Sequence, residues 1–284
     1  MKDLDLTVLF VDTIPARIYL ALLKKHGYRP KKILYLEIEP TSKKYRALRK
    51  FMGRPIAKTV HQIFVTRLFS GLSRKLLKLH GLTPQSLHQN LDSYSKTPVE
   101  KLLVSGLDDM LLVKHLGAKS QEPTTFLFTG GGLLKEALLS LDGLKFIHIH
   151  PGLLPEVRGS NGFFWSLLLR GKAGYSTFYM NPAIDSGEII TRREFEVDLA
   201  HVRLHKYKNN RVYREILKFY DPCLRIMSLI LFFDSMSDAA SPTSGLGVVE
   251  FREISSVKQD VCEGRMYFVM HKRLRDSVID SLKG

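Results

Sequence analysis

Cysteine is nearly missing. The 284-residue chain has two, Cys223 and Cys262, with no Cys-x-x-Cys spacing, so neither a disulfide framework nor a zinc knuckle is expected. Long apolar runs are missing too. The stretch Ile226 to Phe233 falls far short of the roughly 20 residues that cross a bilayer. The N-terminus has no charged start, apolar stretch and small-residue cleavage site of the secretory kind. We therefore expect a cytoplasmic protein in a reducing compartment. Internal repeats are absent as well. Acidic residues are scarce: 28 Asp and Glu face 43 Lys and Arg, for a formal charge of +15. The excess is concentrated. From Lys24 to Leu79 there are sixteen Lys and Arg against two Glu, a net +14. Such a field attracts anions, whether nucleotide phosphates, RNA or an acidic membrane surface, or else forms a solvated basic face.

What is present reads as alternating strands and helices. Thr7 to Val11 is a short β-rich apolar run, Thr13 is placed to cap the next helix with Pro15 in its first turn, and Gly27 ends it. Ile33 to Ile38 is a second strand, and a crossover of this length predicts parallel pairing. Residues 40 to 96 break the rhythm. There Ile56, Val60, Ile63, Phe64, Leu68, Leu72 and Leu76 recur at helical spacing among Lys58, Arg67, Arg74 and Lys78, a basic amphipathic helix. Strands resume at Lys101 to Val104, Thr125 to Phe128, Lys145 to His150, Tyr175 to Met180 and Ile189 to Val197. Helices are expected over Leu133 to Ser140, Ser160 to Arg170 and Tyr213 to Met236, the last with Pro222 as a break or new start. Asp238 to Gly247 has loop composition. In the tail beyond it, Val248 to Ile254 and Met266 to Met270 suggest a hairpin-like pair before a helix from Lys272. The fold expected is α/β: a Rossmann-like, open, mostly parallel sheet flanked by helices, with a small C-terminal α+β extension.

The segment that carries chemistry runs from His148 through His150, Pro151, Gly152 and Pro155 to Arg158 and Gly159, followed by Asp185-Ser186-Gly187. Side chains two apart on a strand share a face, so His148 and His150 emerge together, at the strand end where open α/β sheets bind ligands. The Gly130-Gly131-Gly132 turn lacks a following Lys-Ser/Thr and is no ATP-binding P-loop, and no GxGxxG follows the first strand. Tyr267, His271, Arg273 and Arg275 cluster in the tail, either closing over a substrate, forming a second anion site, or making a surface patch.

This pattern resembles the formyltransferases that use N10-formyltetrahydrofolate, whose signature is Asn-x-His, Ser-Leu-Leu-Pro, Arg-Gly and, about thirty residues on, Asp-x-Gly. Here the matching positions are His148 and His150, Gly152 to Pro155, Arg158-Gly159, and Asp185 to Gly187. The family's asparagine is replaced by His148 and its serine by Gly152. The resemblance implies catalytic roles for three residues: His150 polarising or protonating the formyl oxygen, His148 as second donor, and Asp185 relaying a proton. It implies that Phe128, Gly131, Gly132, Leu134, Gly152 and Leu154 border the folate, and that Arg158 and Gly159 contact the substrate. Residues 1–200 would be the catalytic domain, with a basic helical insertion at about 40–96. Residues 201–284 would be a helical segment and small extension.

The acceptor expected is a small amine bearing phosphate, such as a nucleotide-linked amino sugar. Methionyl-tRNA is an alternative, since the basic stretch 24–79 suits RNA or an anionic membrane as well. Two other classes stay open: a metal-dependent hydrolase using His148, His150 and Asp185, and a non-catalytic folate-binding module.

Overall fold

The computed structural model describes residues 1–38, 50–53, 56, 69–88, 91, 96–118, 122–130, 132–239, 248–249 and 254–283. In chain order the strands are β1 (Lys2–Val11), β2 (Tyr28–Ile38), β3 (Val99–Val104), β4 (Thr124–Phe128), β5 (Leu144–His150), β6 (Val157–Gly159), β7 (Ala173–Tyr179), β8 (Ile189–Phe195), β9 (Val248–Val249) and β10 (Arg265–Tyr267). The helices are α1 (Ile14–Lys25), α2 (Gly71–Leu79), α3 (Met110–Gly117), α4 (Glu136–Leu139), α5 (Gly162–Arg170), α6 (Asn209–Glu215), α7 (Asp221–Ala239) and α8 (Lys272–Ser281).

The main sheet has the order β3-β2-β1-β4-β5-β7-β8. Neighbours from β3 to β5 are parallel, whereas β7 and β8 are antiparallel, so the sheet is open and mostly parallel, a Rossmann-like arrangement. The first crossover forms as its sequence dictates. Thr13 Oγ1 accepts from the Ala16 amide at 3.3 Å, Pro15 occupies the first turn, and Gly27 follows the last turn at φ 78°.

Alternation along the strands divides the core between two faces. On β1, Leu4, Leu6, Val8 and Phe10 join a cluster with α1, α5 and α7, while Leu9 turns to a second cluster with Leu112, Leu116 and Leu138 of α3 and α4. On β5, Ile147 and Ile149 take the first face, and Leu144 and Phe146 the second. By the same parity His148 and His150 face the α3/α4 side. The first cluster also binds α7 to the sheet through Ile226, Leu229, Ile230 and Phe233. Pro222 sits in the first turn of α7, after a π-helical turn at Ile216–Tyr220 that restarts the helix.

Two expectations change and one helix is new. The helix read over Leu133 to Ser140 shrinks to four residues, because 133–135 stay irregular and Lys135 supplies no side-chain cap. Helix α3 was not foreseen; Asp109 caps it, accepting from the Leu111 amide at 2.9 Å. The tail strands do not form a hairpin: β9 pairs in parallel with β1, and β10 pairs in parallel with β6. Of the basic amphipathic helix, Leu72, Arg74, Leu76 and Lys78 lie on α2, with Leu72 and Leu76 fully buried. Val60, Ile63, Phe64, Leu68, Lys58 and Arg67 lie outside the described residues. No helix among the described residues is long and apolar enough to cross a membrane.

Candidate active site

Strand β5 delivers both histidines to the carboxyl edge of the parallel strands. His148 is flanked by two rings, Phe128 at 5.7 Å and Phe178 at 6.0 Å between centroids. Its Nδ1 stands 3.5 Å from the Phe128 carbonyl oxygen, long for a hydrogen bond. Burial, helped by the Arg225 charge and by His150, pushes its pKa down to about 4, so the ring is neutral at pH 7.

His150 is 3 % exposed, and both ring nitrogens face oxygen. Nε2 lies 2.9 Å from the Val157 carbonyl, and Nδ1 lies 3.4 Å from Asp185 Oδ2. A neutral imidazole has one N–H, so with Nε2 donating to Val157 the Nδ1 lone pair meets the carboxylate unless a proton is shared there. Two forces oppose each other at this ring: burial lowers its pKa and dominates, while the Asp185 carboxylate raises it.

Asp185 adopts a left-handed φ of 51°, uncommon for a residue with a side chain and a mark of a constrained site. Its Oδ2 accepts the Gly159 amide at 2.8 Å. Gly159 is itself held at φ 90°, where a Cβ would lie 2.3 Å from the Tyr267 carbonyl oxygen. His150, Asp185 and Gly159 therefore converge from β5, the β7–β8 loop and β6. Arg158 reaches the Gly264 carbonyl at 3.4 Å, tying β6 to the tail.

The residues expected along the folate divide by accessibility. Phe128, Leu134, Gly152 and Leu154 are buried, Gly132 is exposed, and Gly131 lies outside the described residues. Leu154 is fixed at both ends, its amide donating to Ser176 Oγ at 2.8 Å and its carbonyl accepting from Arg192 at 2.9 Å. The apolar surface open beside this edge comes from Leu133 after the glycine turn, 62 % exposed, and Ile184 next to Asp185, 53 % exposed.

Sequence reasoning missed a buried ion pair on the opposite face of the sheet. Asp221 is fully buried and accepts from Arg225 Nε at 3.0 Å and from the Tyr175 hydroxyl at 3.1 Å. An Asp-Pro helix start with Arg four residues on, inside an apolar helix, was its available signal. Next to it, burial pushes the Cys223 thiol up, leaving it a packing residue. The tail cluster is spent largely on anchoring. Tyr267 stacks on Trp165 at 4.7 Å, His271 caps α8, and Arg275 lies 4.1 Å over the Tyr213 ring.

A cavity of about 540 Å³ lies at the opposite, N-terminal edge of the sheet, lined by Thr7, Lys31, Lys32, Glu100, His115 and Thr125. Within it Glu100 pairs with both Lys32 and His115, and Asp5 with Lys31. The chemistry-bearing residues are not there. Among the described residues no three His, Cys, Asp or Glu side chains converge as metal ligands.

The stretch containing these groups, residues 127–215, matches the family model described as formyl transferase. That match spans under a third of the chain. The segment matched by the formyl transferase model holds His148, His150, Arg158, Gly159 and Asp185, and ends before the tail. A methionyl-tRNA formyltransferase of Alkaliphilus oremlandii is 35% identical over 69 residues, 24% of this chain and 22% of its own. Its counterpart in Bacillus velezensis is 38% identical over 71 residues, again 24% and 22% of the two chains. Each relative is matched over less than a quarter of its own length. A solved 4-N formyltransferase from Francisella tularensis is similar over 98% of this chain and 86% of its own, at 14% identity and a TM-score of 0.43.

Proposed function

We propose that this chain transfers a formyl group from N10-formyltetrahydrofolate to the amine of a small phosphate-bearing substrate, with a nucleotide-linked amino sugar as the acceptor class. The observation that carries this reading is the convergence of His150 and Asp185 at 3.4 Å, inside the formyl transferase segment and at the strand edge where α/β sheets bind ligands.

The donor supplies an activated one-carbon unit; the chain supplies proton control and charge stabilisation. As the amine nitrogen bonds to the formyl carbon, the carbonyl electron pair moves onto oxygen. His150 donates its Nε2–H to that oxygen, which requires the N–H to leave the Val157 carbonyl it now meets. The neutral His148 ring offers the second N–H, because the long contact to Phe128 holds its tautomer only weakly. Loss of one such donor costs ~10²–10³ in rate. Asp185 takes the amine proton, through water, and passes it on as the carbon–N10 bond breaks and its electron pair stays on N10.

The basic stretch supports a phosphate-bearing acceptor only in part. Among its described residues, Arg29, Lys31 and Lys32 already pair with Asp3, Asp5 and Glu100. The test is a mass-spectrometric screen of amino-sugar nucleotides with the formyl donor. A gain of one formyl unit on a member supports the proposal, and no gain on any amine defeats it.

The names of the relatives favour a second acceptor, methionyl-tRNA. Formylation of charged initiator tRNA, with retention that falls steeply as salt rises, would put it first.

A further inference from the structure

The tail beyond α7 lies outside the formyl transferase segment, yet one part of it, residues 256–267, contacts both stretches that hold Asp185 in place. Residues 256–259 attach to the strand side of the acidic loop. Ser256 Oγ donates to Glu188 at 2.6 Å, Val257 and Ile189 exchange backbone hydrogen bonds at 2.8 Å, and the Gln259 side-chain amide donates to the Gly187 carbonyl. Residues 264–267 attach to the other side. Strand β10 pairs with β6 from Arg265 opposite Val157 to Tyr267 opposite Gly159, the Ser160 amide donates to the Tyr267 carbonyl at 2.9 Å, and Arg158 reaches Gly264. The Asp185 carboxylate is clasped between these two sides, bonded to Gly159 on one and carried by the 185–187 turn on the other.

We infer that residues 256–267 are a positioning element for Asp185, with Gln259 its chief side-chain anchor. Asp185 keeps its left-handed backbone because the chain that follows it, Gly187 to Ile189, and the Gly159 amide that binds its carboxylate are both fixed by one segment distant in sequence. The tail touches neither histidine in any contact described above; it acts through the acidic loop, setting where the carboxylate stands relative to His150. The catalytic consequence rests on the proposed formyl transfer, but the geometric one does not.

Gln259→Met separates the two, because it removes the amide while keeping the side chain's length. The His150 ring resonances are identified by their loss in His150→Gln and followed at one pH in wild type, Asp185→Asn and Gln259→Met. Positioning predicts that Gln259→Met moves the His150 signals in the direction that Asp185→Asn moves them. It also predicts a kcat for formyl transfer at least tenfold lower, with KM for donor and amine little changed. His150 signals superposing on wild type would overturn the inference whatever the activity. If the wild-type chain formylates no amine, the functional proposal falls while the ring signals still decide this one. Should Gln259→Met not fold, Ser256→Ala, which frees Glu188 on the same loop, takes its place with the same outcomes.

Discussion

Replacing Asp185 by Asn changes charge and little else. The amide oxygen is positioned to keep the 2.8 Å bond from Gly159, so the turn between β7 and β8 stays anchored. What disappears is a negative charge 3.4 Å from His150 Nδ1. At that separation, and at an effective dielectric of ~20, a full charge pair interacts by roughly 4–5 kcal/mol. Burial of the imidazole outweighs this attraction and holds the ring toward the neutral form. The carboxylate is thus the principal group able to hold a proton in transit beside His150. A positioned acid or base contributes ~10²–10⁴ in rate, and kcat of Asp185→Asn should fall within that range. KM should move little, because the interaction lost is made in the transition state. The unfolding free energy should change by no more than about 1 kcal/mol, the net worth of a typical hydrogen bond. Initial rates of formyl transfer by mass spectrometry, paired with urea unfolding of the same preparations, measure both. A variant that folds normally and turns over within about fivefold of wild type would refute the proton-relay role.

Other perturbations probe neighbouring parts of the argument. His148→Asn should retain or raise activity, because either side chain presents an N–H at that position; loss of turnover would give His148 a role beyond donation. Gly159→Ala should cost ~2 kcal/mol or more in urea unfolding, since φ 90° and a Cβ 2.3 Å from the Tyr267 oxygen leave no room for a side chain. Away from the site, burial lowers the His80 pKa to about 4, with Lys25 adding to the shift. Its folded pKa lies below the unfolded value of about 6.5, so the stability it contributes is complete above that pH and is lost as pH falls towards 4. His80→Phe keeps a ring beside Tyr220, 5.5 Å from the present imidazole, and should remove ~3 kcal/mol of acid sensitivity between those limits. Unfolding midpoints that drop equally in both proteins on acidification would contradict this.

Local signals were legible and distant pairings were not. Thr13, Pro15 and Gly27 announced the first crossover because capping and turn chemistry act within a few residues. The strand ending at His150 was legible because Phe146, Ile147 and Ile149 form a short apolar run rich in β-formers. The tail was misread for the same reason in reverse. Arg265–Tyr267 and Val157–Gly159 are three-residue strands whose partners lie more than a hundred positions away, and nothing local encodes a parallel pairing across that gap. The convergence of His150 with Asp185 came from family resemblance, since their 35-residue separation carries no periodic signal. The Gly159 amide that fixes the carboxylate was visible only as half of an Arg-Gly pair. Its contact is a backbone one, and side-chain chemistry gave no hint of it.

Gly152 links a departure from the family pattern to the state of the His150 ring. A Cβ at this position would stand 2.5 Å from the Val157 carbonyl oxygen and 2.8 Å from His150 Nε2. The serine usual in the family would therefore collide with both members of the 2.9 Å contact between them. Glycine removes that obstacle and lets the loop from Pro151 to Val157 fold its carbonyl onto the imidazole. The donor needed for an oxyanion is consequently occupied by the protein's own backbone. In the proposed transfer a formyl oxygen would compete with the Val157 carbonyl for the same N–H, and would win only as negative charge developed on it, because an anionic acceptor binds a donor more strongly than a neutral carbonyl does. Such an exchange would favour the transition state over the bound donor, the differential on which catalysis depends.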